Sequence, residues 1–246
     1  MREQIAKAWY IARKDMRTYY LKPPLISWGM LFPAVMILAF YLRDPGDIRA
    51  AAPGLIGMTM LFGATSVEAV VIAFEKRIGA MERLMMAPVS IATMLAGKTI
   101  SGALFGTATG VLVWLLSSAV WRLPLAGGLP LLVIVPGSVA FALMGVLVSL
   151  VMREVFDAMA MSNFFRFPMI FLCGVFMPLG AMMPVLRGVA ALLPLTYTVD
   201  GLRHLLMGGY AAHFALWIDL LVPLGFCVGL SLIAYRLMAQ RLEDLI

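Results

Sequence analysis

Long apolar runs dominate this chain, and a run of about 20 such residues constrains folding more than any other pattern. Lipid offers no hydrogen-bond partners, so a segment that crosses it must satisfy its own backbone as a helix. Six runs qualify: 25–42, 53–74, 99–121, 129–152, 158–178 and 216–237. Arg166 interrupts the fifth, and the uncharged stretch 167–186 is an alternative reading of that span. Over the 246 residues, 63% are hydrophobic and 13% charged, against about 45–50% and 25% in soluble domains. So little polar surface cannot cover an apolar core in water. The expected fold is all-α: one polytopic transmembrane domain over 1–246.

The formal charge of +6 is distributed unevenly. With the N-terminus inside, Arg2, Lys7, Arg13, Lys14, Arg17, Lys22, Lys76, Arg77, Arg83, Lys98, Arg153, Arg166, Arg236 and Arg241 fall on the cytoplasmic side. Arg43, Arg49, Arg122, Arg187 and Arg203 fall outside, a bias of fourteen to five. Basic residues are retained inside, so both termini are expected in the cytoplasm. Charge gathered on one membrane face argues against a nucleic-acid partner and for contact with lipid headgroups. Ala50, Ala51 and Ala52 imitate a signal-peptide cleavage site, but the preceding apolar run of 18 residues exceeds the usual ~7–15. That run is expected to remain as an anchor. Cys173 and Cys227 lie in apolar runs with no clustered partner, which argues against a disulfide or a metal site.

Residues 1–22 form a different kind of element. Ile5, Ala8, Trp9, Ala12, Met16, Tyr19 and Tyr20 recur at helical spacing, with Lys7, Lys14 and Thr18 opposite. A basic helix with Trp and Tyr on its apolar side lies flat at the headgroup level. Pro23 and Pro24 then end it. The 75–90 loop, between the second and third spans, is too patterned for a simple connection. Ile78, Met81, Leu84 and Met85 share one helical face, flanked by Lys76, Glu82 and Arg83, and Pro88 closes the helix. A short amphipathic helix mounted between two spans is suited to docking in a groove on another protein.

The run EKRIGAMERLMMAPVS (75–90) resembles the cytoplasmic loop of type-2 ABC transporter permeases. Further on, Gly174, Pro178 and Leu179, then Leu193-Pro194-Leu195-Thr196-Tyr197, then Asp200-Gly201-Leu202-Arg203 are similar to that family's C-terminal signature. The resemblance covers the whole chain and carries several implications. Glu75, Arg77, Gly79, Glu82, Arg83, Leu84 and Pro88 would couple to a cytoplasmic ABC ATPase subunit. Pro178, Pro194, Tyr197, Asp200 and Arg203 would belong to an extracellular gate region, within re-entrant helices over 179–215. The chain would be the membrane-spanning permease of an ATP-driven exporter in the plasma (inner) membrane, paired with a second copy of itself or a related permease. ATP and Mg would bind the partner, and this chain would bind no cofactor.

Gly97-Lys98-Thr99 mimics the end of a phosphate-binding loop, but position 92 is Ala92 where that loop needs glycine, so no nucleotide site is expected. Lys98 reads instead as a snorkelling anchor at the end of the third span. Glu68, inside the second span, either lines a translocation path or pairs with Arg166. Asp219 reads as interfacial, and Asp200 and Arg203 share one helical face, placed to bond each other or to hold the outer helices. Gly102, Gly106 and Gly110, like Gly225 and Gly229, allow close helix approach. An intramembrane serine hydrolase is excluded because His204 and His213 fall in the outer loop, away from Ser149, and Ser138 lacks a nucleophile-elbow setting. The remaining alternative is an ion-coupled secondary transporter or an accessory subunit, with Glu68 as its ionisable group. The default cargo is a hydrophobic small molecule, drug or lipid-like compound.

Overall fold

The computed structural model describes residues 2–22, 48–152, 154–208 and 212–243, together with 35, 36, 38, 39 and 42. The expected first span, 25–42, lies almost wholly outside the described residues. Among the described residues the chain is helical, without strands. In order the helices are α1 (Arg2–Asp15), α2 (Ile48–Arg77), α3 (Ala80–Met85), α4 (Ile91–Trp121), α5 (Leu131–Val151), α6 (Val155–Leu172), α7 (Pro184–Ala190), α8 (Pro194–Leu206) and α9 (Leu216–Glu243). Five of them, α2, α4, α5, α6 and α9, are long and apolar enough to cross a membrane. The pair α7 and α8, bent by 99°, makes a sixth if counted as one broken span.

Helix α2 is the axis of the bundle. It packs against α4, α5, α6 and α8, and its apolar window is 83% buried, against 11% for α9. Small residues make that packing possible. A Cβ on Gly106 would stand 2.7 Å from the Ala64 Cβ, and one on Gly145 2.7 Å from the Thr65 carbonyl oxygen. The Gly102, Gly106 and Gly110 row is thus buried against α2 and α5, whereas Gly225 and Gly229 on α9 face open space.

Two of the departures from the expected bounds have a visible local cause. The third span begins earlier, because Ser90 caps α4, its Oγ accepting from the Thr93 N–H at 3.2 Å. The fifth was expected at 158–178, yet α6 ends at Leu172, after which Gly174 takes a left-handed conformation (φ +81°). Glycine tolerates that geometry, so hydropathy continues there while the helix does not.

Candidate functional site

The loop after α2 is mounted on the bundle by polar contacts. Gly79, with φ +66°, reverses the chain so that α3 begins at once. Lys76 donates to the carbonyls of Ser149 and Met152, tying the end of α2 to the end of α5. Lys7 of α1 donates to the Pro88 carbonyl at 3.1 Å, and the Thr93 hydroxyl donates to Gln4 Oε1 at 2.7 Å. The N-terminal helix is therefore fastened to the far end of the loop and to the start of α4.

Beneath the loop lies a buried ion quartet that the sequence reading did not anticipate. Lys14 meets Asp15 at 2.8 Å and Glu75 at 2.5 Å. Lys98 meets Asp15 at 2.7 Å and also bonds Glu75. The side chains of Asp15, Glu75 and Lys98 are at most 1% exposed, while Lys14 is half exposed. Burial pulls the Lys14 ammonium down, but Asp15 and Glu75 outweigh it and push the group up to about 12. Lys98 is thus no snorkelling anchor. Two carboxylates stand within reach of its ammonium inside the bundle, which removes any need to extend to water. Asp15 gave one legible signal: it sits one turn beyond Ile11 and Ala12 on the inward face of α1. Gly97 marks where α1 crosses α4, since a Cβ there would meet the Ala8 carbonyl oxygen at 2.9 Å.

This geometry divides the expected coupling residues. Glu75 is buried in the quartet, Met81 belongs to a buried apolar cluster that includes Ile11, Ile72 and Leu95, and Leu84 packs against that cluster. Met81 and Leu84 therefore seat the loop on its own bundle and do not offer a free apolar face. Arg77, Ile78, Arg83, Met86 and Pro88 remain exposed, and the Glu82 side chain lies outside the described residues. On α1 the apolar residues divide likewise: Ala8, Ile11 and Ala12 are buried, as is Tyr20 in the π-helical turn 16–20 that follows, whereas Ile5, Trp9 and Tyr10 face outward.

Glu68 and Arg166 do not pair. The Glu68 carboxylate accepts from the Tyr20 hydroxyl and is fully buried beside Gly102. Arg166 donates to the Ser66 hydroxyl and, at 3.0 Å, to the Ser162 carbonyl, with its guanidinium 4.8 Å from the centre of the Phe62 ring. Glu68 is only two residues from Ser66 on α2, so the two side chains leave the helix on different faces, and Glu68 points toward Gly102 while Arg166 is held at Ser66.

At the other end of the bundle the three C-terminal motifs converge. Arg203 donates to the Gly174 carbonyl, joining α8 to the turn after α6. Tyr197 donates to the Ala191 carbonyl at 2.6 Å, bracing the bend between α7 and α8. Pro194, Tyr197, Asp200 and Arg203 are buried, and Pro178 is exposed. Asp200 and Arg203 form no ion pair with each other. Asp200 instead accepts from the backbone N–H groups of His213 (2.9 and 3.0 Å) and Phe214 (2.7 Å), so these residues hold neighbouring segments in place.

A multi-pass helical bundle with a rigidly mounted loop at one end and a bent helix pair at the other defines a class of membrane transport protein. A family model described as ABC-2 type transporter matches residues 6–207, and the chain belongs to that family. It is 27% identical over 182 residues to the probable multidrug ABC transporter permease YbhS of Escherichia coli (strain K12), covering 72% of this chain and 48% of that protein. It is 23% identical over 197 residues to ABC transporter G family member 20 of Dictyostelium discoideum, covering 79% of this chain and 27% of that protein. The chain spans about half the length, or less, of these curated relatives.

Proposed function

We propose that this chain is the membrane-spanning permease of an ATP-driven exporter, carrying a hydrophobic small molecule, drug or lipid-like compound out of the cytoplasm. ATP and Mg bind a separate cytoplasmic ABC ATPase subunit, and a second copy of this chain or a related permease completes the pathway. The complex sits in the inner membrane with both termini of this chain in the cytoplasm. The observation that carries the reading is the loop. Arg77, Ile78, Arg83, Met86 and Pro88 are exposed on a short segment whose two ends are fastened to α1, α4 and α5. A rigid contact can pass ATPase closure into the spans, which a mobile loop would absorb. The name of the YbhS relative supports the multidrug direction, and both relatives' names support the ABC partnership. Tyr197, Asp200 and Arg203 then brace the extracellular gate region, and Glu68 has a structural role in the resting state.

The test is purification of the tagged chain from its native membrane in mild detergent, with partner identification and an ATPase assay. The wild-type chain is expected to bring down a subunit with a phosphate-binding loop, and Arg77→Glu with Arg83→Glu to lose that subunit or uncouple its ATPase. A chain recovered alone after cross-linking would remove the basis of the reading.

A further inference from the structure

Asp219 lies in the first turn of α9, fully buried, and neither carboxylate oxygen has a hydrogen-bond partner among the described residues. Burying an unpaired carboxylate costs several kcal/mol. The N-terminal end of α9 offsets at most about 2 of these. The neighbourhood adds to the difficulty, because a second carboxylate, Asp200, faces the same space. The adjacent cation, Arg203, is turned toward the Gly174 carbonyl and forms no ion pair with either carboxylate among the described residues. His204, one helical turn beyond Asp200 on α8, places Nε2 3.9 Å from Asp219 Oδ2. One donor atom from each of Asp200, His204 and Asp219 lies within 4.8 Å of the other two. Donors held about 2.0–2.2 Å from a four-coordinate ion stand roughly 3.3–3.6 Å apart. Small side-chain rotations therefore close the cage.

We propose that Asp200, His204 and Asp219 form a binding site for a divalent transition-metal cation of the zinc class, which pins α8 to the start of α9. One imidazole and two carboxylates suit such an ion, with the fourth position left to water. Two features fit beyond proximity. The backbone N–H groups of His213 and Phe214 already orient the Asp200 carboxylate, as outer-shell donors do in metal sites. The ion also supplies the positive charge that the buried Asp219 lacks. In the ion-free geometry His204 Nε2 lies 2.5 Å from the Phe214 carbonyl oxygen and donates to it. Binding at Nε2 takes the neutral imidazole with its one hydrogen on Nδ1 and gives up the bond to Phe214, and because the cation competes with protons for its ligands, affinity rises with pH. The sequence carries no metal signature at these positions, and its two cysteines lie apart from them in apolar runs. These three ligands come from two helices separated by a loop.

The test uses the full chain in detergent, stripped with a chelator and titrated with Zn²⁺ by calorimetry, with thermal unfolding followed in parallel. The wild-type chain is expected to bind one ion saturably and to melt at a higher temperature, reversibly on chelation and more weakly as pH falls from about 7.5 to about 6. Asp219→Asn is expected to weaken Zn²⁺ by on the order of 100-fold or more. Its metal-free melting temperature should equal or exceed that of the wild type, which confirms that it folds. His204→Gln keeps the bond to Phe214 and is expected to show the same loss of binding. Absence of saturable binding to the wild type, or undiminished binding in both variants, overturns the site.

Discussion

Around Lys98, two ammonium groups and two carboxylates face one another inside the bundle, while around Asp219 two carboxylates meet beside one imidazole. Both places are buried and both lie where helices converge. The first is balanced, each carboxylate meeting both ammonium groups, so it acts as a fastener for α1 and the loop. The second has unspent acceptor capacity, which gives it room to respond to something that arrives. Buried charge is therefore balanced at one end of the bundle and unbalanced at the other.

The largest break in this comparison is Lys98→Met. It leaves Asp15 and Glu75 with Lys14 alone, and removal of one partner from a buried ion pair costs about 3–5 kcal/mol. Thermal unfolding in detergent should show a deep loss of stability, and adding Glu75→Gln should restore much of it by matching the remaining Lys14 and Asp15. Asp219→Asn, the corresponding removal at the other end, should leave the metal-free protein as stable or more so. Equal behaviour of the two ends would refute the contrast.

A smaller effect separates the packed crossing of α1 and α4 from the open flank of α9. Gly97→Ala places a methyl 2.8 Å from the Ile11 Cβ and 2.9 Å from the Ala8 carbonyl oxygen. Overpacking of that kind costs about 1–3 kcal/mol. Gly225→Ala meets nothing within 4 Å and is expected to be neutral or to gain up to about 1 kcal/mol from helix propensity. Limited proteolysis of α1 alongside unfolding would read both, since only Gly97→Ala should free the N-terminal helix.

The smallest effect is alkaline. Lys14 titrates at about 12 in the fold, above its ordinary 10.5, so its contribution is fully present below about 10.5 and fades as pH rises through about 12. Unfolding temperature should stay level to pH ~10.5 and then decline. The decline should be shallower in Lys14→Met, and an unchanged slope would show that Lys14 adds nothing to the quartet.

The spans were legible in the sequence because burial in lipid demands uninterrupted apolar runs: α2, α4 and α9 each contain the run that announced them, and α5 lies within its own. The end of α6 was less legible, because Gly174 turns the backbone while apolar residues continue. The loop was visible as an amphipathic pattern, but which of its faces is free was not. Met81 and Leu84 look available in one dimension and are taken up by the bundle's own apolar cluster in three.

Composition and periodicity by themselves thus determined that the chain is a polytopic helical membrane protein with a basic N-terminal helix and a patterned loop. These follow from local chemistry: hydropathy over a window and the 3.6-residue repeat. Only the tertiary structure decided which charges meet. Asp15, Glu75 and Lys98 come from three separate helices, as Glu68 and Tyr20 come from two, and Arg166 turns from its expected partner to Ser66. The physical reason is range. A buried charge is satisfied by whatever lies within about 4 Å in space, and distance along the chain carries no information about that.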